Sequence, residues 1–136
     1  MKTIITALAV LLVAGAIMAA EKSAARKAVE MADGIRVGVC SSMMKEEGKK
    51  EEPYLSIMGF YLDKGCPVIF ISDLAQHTEN LNRDGTASFL VYKEDPDDTF
   101  NSSRITFQGK FVKITDKKEV ERVEEGYCKK YPQAKF

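Results

Sequence analysis

The sequence has no tryptophan, one histidine, three cysteines and four prolines, and its 136 residues carry no surplus charge, with 20 basic against 20 acidic side chains. Balanced charge removes the basic field that nucleic acid requires, and no acidic tail is present. A single histidine excludes a histidine-rich metal site, and neither Cys-x-x-Cys nor His-Glu-x-x-His occurs, so no metal is expected. No Gly-x-Gly-x-x-Gly run and no Walker loop is present, which removes the usual dinucleotide and nucleoside-triphosphate readings. Three cysteines (Cys40, Cys66 and Cys128) cannot make a disulfide framework without one left over, and their spacing selects no pair. A cysteine nucleophile would need one of them folded against His77, and nothing local supports that, so no catalytic residue is assigned.

What is present begins with an uneven start. Lys2 and Thr3 precede an uncharged apolar run, Ile4 to Ala20, that ends in small residues before Glu21. That is the layout of a secretory signal peptide cleaved after Ala19 or Ala20. The run falls short of the roughly 20 apolar residues that span a bilayer, so a stable membrane anchor is not expected. The expected organisation is a leader over residues 1–20 and one domain over 21–136, secreted or endolysosomal, with 19 basic and 20 acidic side chains left. At 45% apolar and 29% charged, the composition suits one globular core.

Along the domain, Ala25, Ala28, Val29 and Ala32 repeat at helical spacing, which predicts a helix over 22–33 with Ser23 as cap and Gly34 as stop. Ile35, Val37 and Val39 alternate with other residues as in a half-buried strand. The segment 45–52 is a charged hairpin tip. Strands follow at 54–62, with Gly59 a candidate bulge, at 67–72 and at 86–93, and a long one at 104–115 with a bend at Gly109. Asp63-Lys64-Gly65 is a turn, and Asp116 with Glu119 forms a capping box for a last helix. The order lacks regular βαβ alternation, so an antiparallel barrel with added helices is expected.

The densest polar cluster, Ser72 to Leu81, directly follows the buried strand at 67–72. Ser72, His77, Thr78 and Asn80 have the donors to meet an anion at a barrel rim. The same residue types also cap short turns by bonding their own backbone, and composition alone favours that. Asn101-Ser102-Ser103 is a sequon in a predicted loop, so Asn101 is an expected glycosylation site if the chain is exported.

The runs PVIFISDLAQHTENLNRDGTASFLVY (67–92), DPDD, RITFQGKFVKI and YCKKYPQAKF resemble the FMN-binding split-barrel superfamily, and the arm AARKAVEMAD resembles the one before the first strand of its CREG-like members. That superfamily includes pyridoxamine-phosphate oxidases, heme-utilisation proteins of the HugZ type and secreted CREG-like glycoproteins. The resemblance implies a mainly β fold with flanking helices (α+β), a split β-barrel lacking its C-terminal closing strands, and a homodimer. With the leader and the sequon, it points to the CREG-like branch. Flavin-binding members grip the FMN phosphate with a basic residue on the second strand and an Arg/Lys pair after the third. Here the second strand, YLSIMGFYL, has no Arg or Lys, and the pair is replaced by Gln76 and His77. Each lost charge-assisted contact is worth about 1.5–3 kcal/mol, which predicts no bound flavin. His77 remains as the one cation, titrating near lysosomal pH. The expected function is therefore a non-catalytic binding or signalling module with a protein partner or receptor. The alternative is an FMN-dependent oxidoreductase holding flavin through Ser72, His77, Thr78 and Asn80. A weaker third is heme handling of the HugZ type, because such proteins lean on C-terminal residues absent here.

Overall fold

The computed structural model describes residues 2–8 and 18–134, with side chains from residue 24 onward. Six strands and three α-helices follow one another: β1 Lys2–Leu8, α1 Met18–Asp33, β2 Val37–Met44, β3 Glu52–Asp63, β4 Cys66–Ser72, α2 Gln76–Arg83, β5 Thr86–Lys93, β6 Ser103–Lys113 and α3 Lys117–Lys130. Strands β2 to β6 make one curled antiparallel sheet in the order β4-β3-β2-β5-β6, and β1 lies antiparallel to both of its outer strands, closing the barrel. This is the expected α+β split barrel. The closing position is filled from the N-terminal side of the chain rather than by a strand after α3.

That closing strand lies within the segment expected to be a leader. Lys2–Leu8 is β1, Met18 to Ala20 open α1, and residues 1 and 9–17 lie outside the described residues. Helix α1 thus starts upstream of Ser23, which is an interior helical residue and not a cap; Gly34 does stop the helix. Among the described residues no helix is long and apolar enough to cross a membrane.

The β3–β4 hairpin turns on Lys64 and Gly65, both at positive φ (51° and 81°), between the paired Asp63 and Cys66. Two positive-φ residues match the strand twist of a tight hairpin, and glycine takes such a φ without steric cost. The barrel interior is filled by Cys40, Met58, Phe60, Ile69, Ile71, Phe89, Val91 and Phe111, with Ala32 of α1 and Leu81 of α2 in the same cluster. Phe89 stands edge-on to Phe60 at 5.2 Å between centroids, an arrangement favoured by the ring quadrupoles. Outside, Val120 and Val123 of α3 pack with Val68, Tyr61 and Phe70.

Asp116 caps α3 as expected, its carboxylate accepting the Glu119 N–H at 3.0 Å. Glu119 does not complete the box: its carboxylate is taken by Arg122, which also forks onto both oxygens of Asp63 at 2.7 Å. At Gly59 the β2–β3 ladder stays in register, so there is no bulge. The missing side chain serves a close approach instead, since a Cβ there would sit 2.7 Å from the Tyr127 hydroxyl. Strand β6 likewise runs unbroken through Gly109.

Candidate functional site

Two regions bear on function, the polar cluster singled out by sequence and a face of the sheet that sequence did not single out. In the cluster, Thr78 is fully buried and its hydroxyl donates to the Ser72 carbonyl at 2.5 Å. Asn80, 1% exposed, donates to the Ser42 hydroxyl at 3.0 Å and accepts from Gln76 at 3.0 Å. Ser72 is exposed, and its hydroxyl accepts the Leu74 N–H. These bonds fasten α2 to the barrel rim, and Arg83 adds to them by donating to the Met43 carbonyl and pairing with Glu51. His77 is half-buried, and burial pulls its pKa below the ordinary histidine value. An imidazole so shifted is neutral around pH 7 and gains charge only under more acidic conditions than an exposed one. Thr78 and Asn80 therefore face inward, and the four residues are not gathered on one open cradle.

An FMN phosphate would need cations at this rim. Gln76 stands at one expected position with its amide engaged by Glu79 and Asn80, and His77 stands at the other with its charge disfavoured. Strand β3 supplies neither Arg nor Lys. Gln76, His77 and β3 therefore do not offer the phosphate of FMN the cations expected at these positions.

The second region is the outer face of β3, β2, β5 and β6. Cross-strand register lines its side chains up in rows. Ile57, Val39, Leu90 and Thr106 form one row, and Leu55, Ser41, Ser88 and Gln108 the next. Val37 lies beside the first row, and Thr86, paired with Lys110, lies beyond the second. Because strands are about 4.8 Å apart, each row of four is about 14 Å across. Val37, Leu55 and Ile57 are 53%, 66% and 73% exposed, an apolar strip without cover among the described residues. Next to it, Ser41, Met43, Thr86, Ser88, Gln108 and Lys110 line a cavity of about 430 Å³. The face therefore grades from aliphatic to hydroxyl and amide, and then to the Lys110 ammonium. Among the described residues, no group of three or more metal-ligating side chains is present.

Sequence reading missed this face because its residues converge only through the β2–β5 pairing. The available signal was parity: Ser41 and Met43, Thr86 and Ser88, and Gln108 and Lys110 are each two apart, hence on one side of a strand. Asn101, the sequon residue, is exposed on a 3₁₀ turn, with its amide donating to Asp98 at 3.2 Å. The three cysteines are free, with Cys40 and Cys128 buried.

Residues 23–135 match the family described as pyridoxamine 5'-phosphate oxidase. The chain belongs to that family. It is 32% identical over 117 residues to the non-canonical heme oxygenase HOZ, chloroplastic, of Arabidopsis thaliana, covering 84% of this chain and 36% of that protein. Among solved structures, a heme-binding protein from Mycobacterium smegmatis shares 25% identity at a TM-score of 0.66, over 87% of this chain and 44% of that one. A protein of unknown function from Agrobacterium tumefaciens superposes with a TM-score of 0.68 at 23% identity, over 90% of this chain and 51% of that one. The chain thus spans about a third to a half of the length of these proteins.

Proposed function

We propose that this split barrel is a heme-handling module that binds heme on the outer face of β3, β2, β5 and β6. The graded character of that face carries the reading. Heme is a flat ligand with an apolar ring and carboxylates along one edge, and the exposed Val37–Leu55–Ile57 strip beside the polar cavity offers matching surfaces. A heme oxygenase and a heme-binding protein among the similar proteins support it. Of the three readings drawn from sequence, this one ranked last; it leads here because the two positions where flavin-binding relatives carry a cation pair hold Gln76 and His77. The CREG-like signalling role has no comparable support on the sheet face.

We also infer a homodimer. A second copy laid on the aliphatic strip would cover exposed side chains that water otherwise meets, and would enclose a ligand held there.

Titration of heme and of FMN into the purified full chain tests the reading. A shifted, saturable heme absorption band with no change in flavin fluorescence is the expected outcome. Uptake of FMN with no heme band would replace heme handling by the oxidoreductase reading.

A further inference from the structure

Resting on the heme reading, we propose that the Lys110 cavity is the carboxylate-binding end of the face, so that the protein selects tetrapyrroles with free carboxylates over their esters. The cavity's chemistry is that of a carboxylate site. Lys110 supplies an exposed ammonium, Gln108 an amide with two N–H donors, and Ser41 and Ser88 one hydroxyl each, all on one side of three adjacent strands. Thr86 contributes differently. Its hydroxyl hydrogen goes to Asp84 at 2.9 Å, and its N–H reaches the same carboxylate oxygen at 3.1 Å. Thr86 can therefore only accept, which leaves Lys110, Gln108 and the two serines as donors.

Position within the rows decides which edge of the ligand points here. Leu55 shares its row with Ser41, Ser88 and Gln108, and Ile57 shares the neighbouring one with Val39 and Leu90. A ring lying over the aliphatic row can place its acidic edge on the donors only toward Thr86 and Lys110. Arg104, at the opposite end of β6, is paired with Tyr92 and lies outside the cavity.

An opposing charge stands at Asp84. Its carboxylate lies close enough to Lys110 for their charges to interact, and it is held below the ordinary aspartate range first by the Thr86 hydrogen bonds and then by Lys110 and Arg83. Lys110 therefore already faces one fixed anion, and a ligand carboxylate competes with it for the ammonium.

Heme and heme dimethyl ester, which keeps the ring and iron but blocks both carboxylates, are titrated into the full chain and into Lys110→Gln and Lys110→Arg variants. Wild type is expected to bind the free acid about ten- to a hundredfold tighter than the ester, the range of one charge-assisted contact. Lys110→Gln should erase most of that preference by lowering affinity for the free acid far more than for the ester, and Lys110→Arg should restore it. Lys110 is exposed, so an unchanged unfolding temperature is expected for both variants. Should Lys110→Gln unfold, Gln108→Leu gives the same comparison from the adjacent row. Equal affinity for acid and ester in wild type, or equal losses for both in Lys110→Gln, would overturn the carboxylate site while leaving heme binding intact. Uptake of neither ligand by wild type would overturn the heme reading itself.

Discussion

The Tyr131 hydroxyl accepts the Phe60 N–H at 2.9 Å and lies 2.6 Å from the Phe60 carbonyl, clamping the end of α3 to the middle of β3. It also meets the Arg36 carbonyl, at the entry to β2. A phenol has one hydrogen, so it serves one of these two carbonyls at a time while accepting the N–H. Tyr131 stacks on Tyr127 at 4.6 Å, and Lys130 lies over the Phe60 ring at 4.4 Å. One side chain thereby joins the end of α3 to β3 and to the entry of β2.

Tyr131→Phe keeps the ring and removes these bonds, leaving buried backbone groups without that partner. The expected loss is about 2 kcal/mol of unfolding free energy, measured by urea denaturation. An unchanged midpoint would show that the clamp contributes nothing.

Alkaline pH should loosen the same region. Burial pushes the Tyr61 and Tyr127 phenols up to about 12, and the Tyr61 hydroxyl has no hydrogen-bond partner among the described residues. Folded-state values above the ordinary 10 mean that the stability they confer is complete below pH 10 and is lost as pH rises toward 12. Phenolate absorbance should therefore rise together with unfolding in that window, rather than in a separate step near 10.

On the acid side, the Arg122 fork holds Asp63 below its ordinary value of 3.8. A lowered folded pKa contributes stability above the unfolded value and loses it as pH falls through the folded one. Asp63→Asn should cost about 1 kcal/mol at neutral pH, since Arg122 is 40% exposed and solvent screens the pair. The wild-type and variant stability curves should converge below pH 3.8, which thermal melts across pH would read.

Asp84→Asn should tighten heme binding several-fold at low salt by removing the anion that competes for Lys110, with a smaller gain at high salt. Parallel titrations at two ionic strengths check it; weaker binding by the variant would place Asp84 among the residues that hold the ligand.

Much of the frame was legible in sequence because short-range chemistry sets it. Alternation in β2, the continuous apolar run of β4, the Lys64-Gly65 turn and the Asp116 cap each depend on neighbours a few residues away. The errors arise where distant residues compete. Glu119 was expected to complete a local box, but Arg122 and Asp63 together offer it a stronger partner. Gly59 resembled a bulge, and its role is set by Tyr127 of α3 and Tyr131 at the end of that helix, which no local pattern shows. The cluster at 72–80 has residues suited to an anion, and packing of α2 engages Thr78 and Asn80 instead. The graded face needs the β2–β5 register, which strand patterns alone leave unspecified.

Strand β1 gives one stretch of chain two exclusive fates. Ile5 is paired at once with Ile69 of β4 and Lys113 of β6, so Lys2–Leu8 is the seam along which the sheet is sewn shut. A leader peptidase acting after Ala19 or Ala20 would cut within α1 and detach β1 from the rest of the chain, and departure of β1 would leave two bare strand edges, β4 with its apolar run and β6 with Lys110 and Lys113 along it. Lysines on an open edge discourage another strand from adding there, so the β4 side would be the one in need of a replacement. Removal of residues 1–20 and closure by β1 exclude one another in the same molecule.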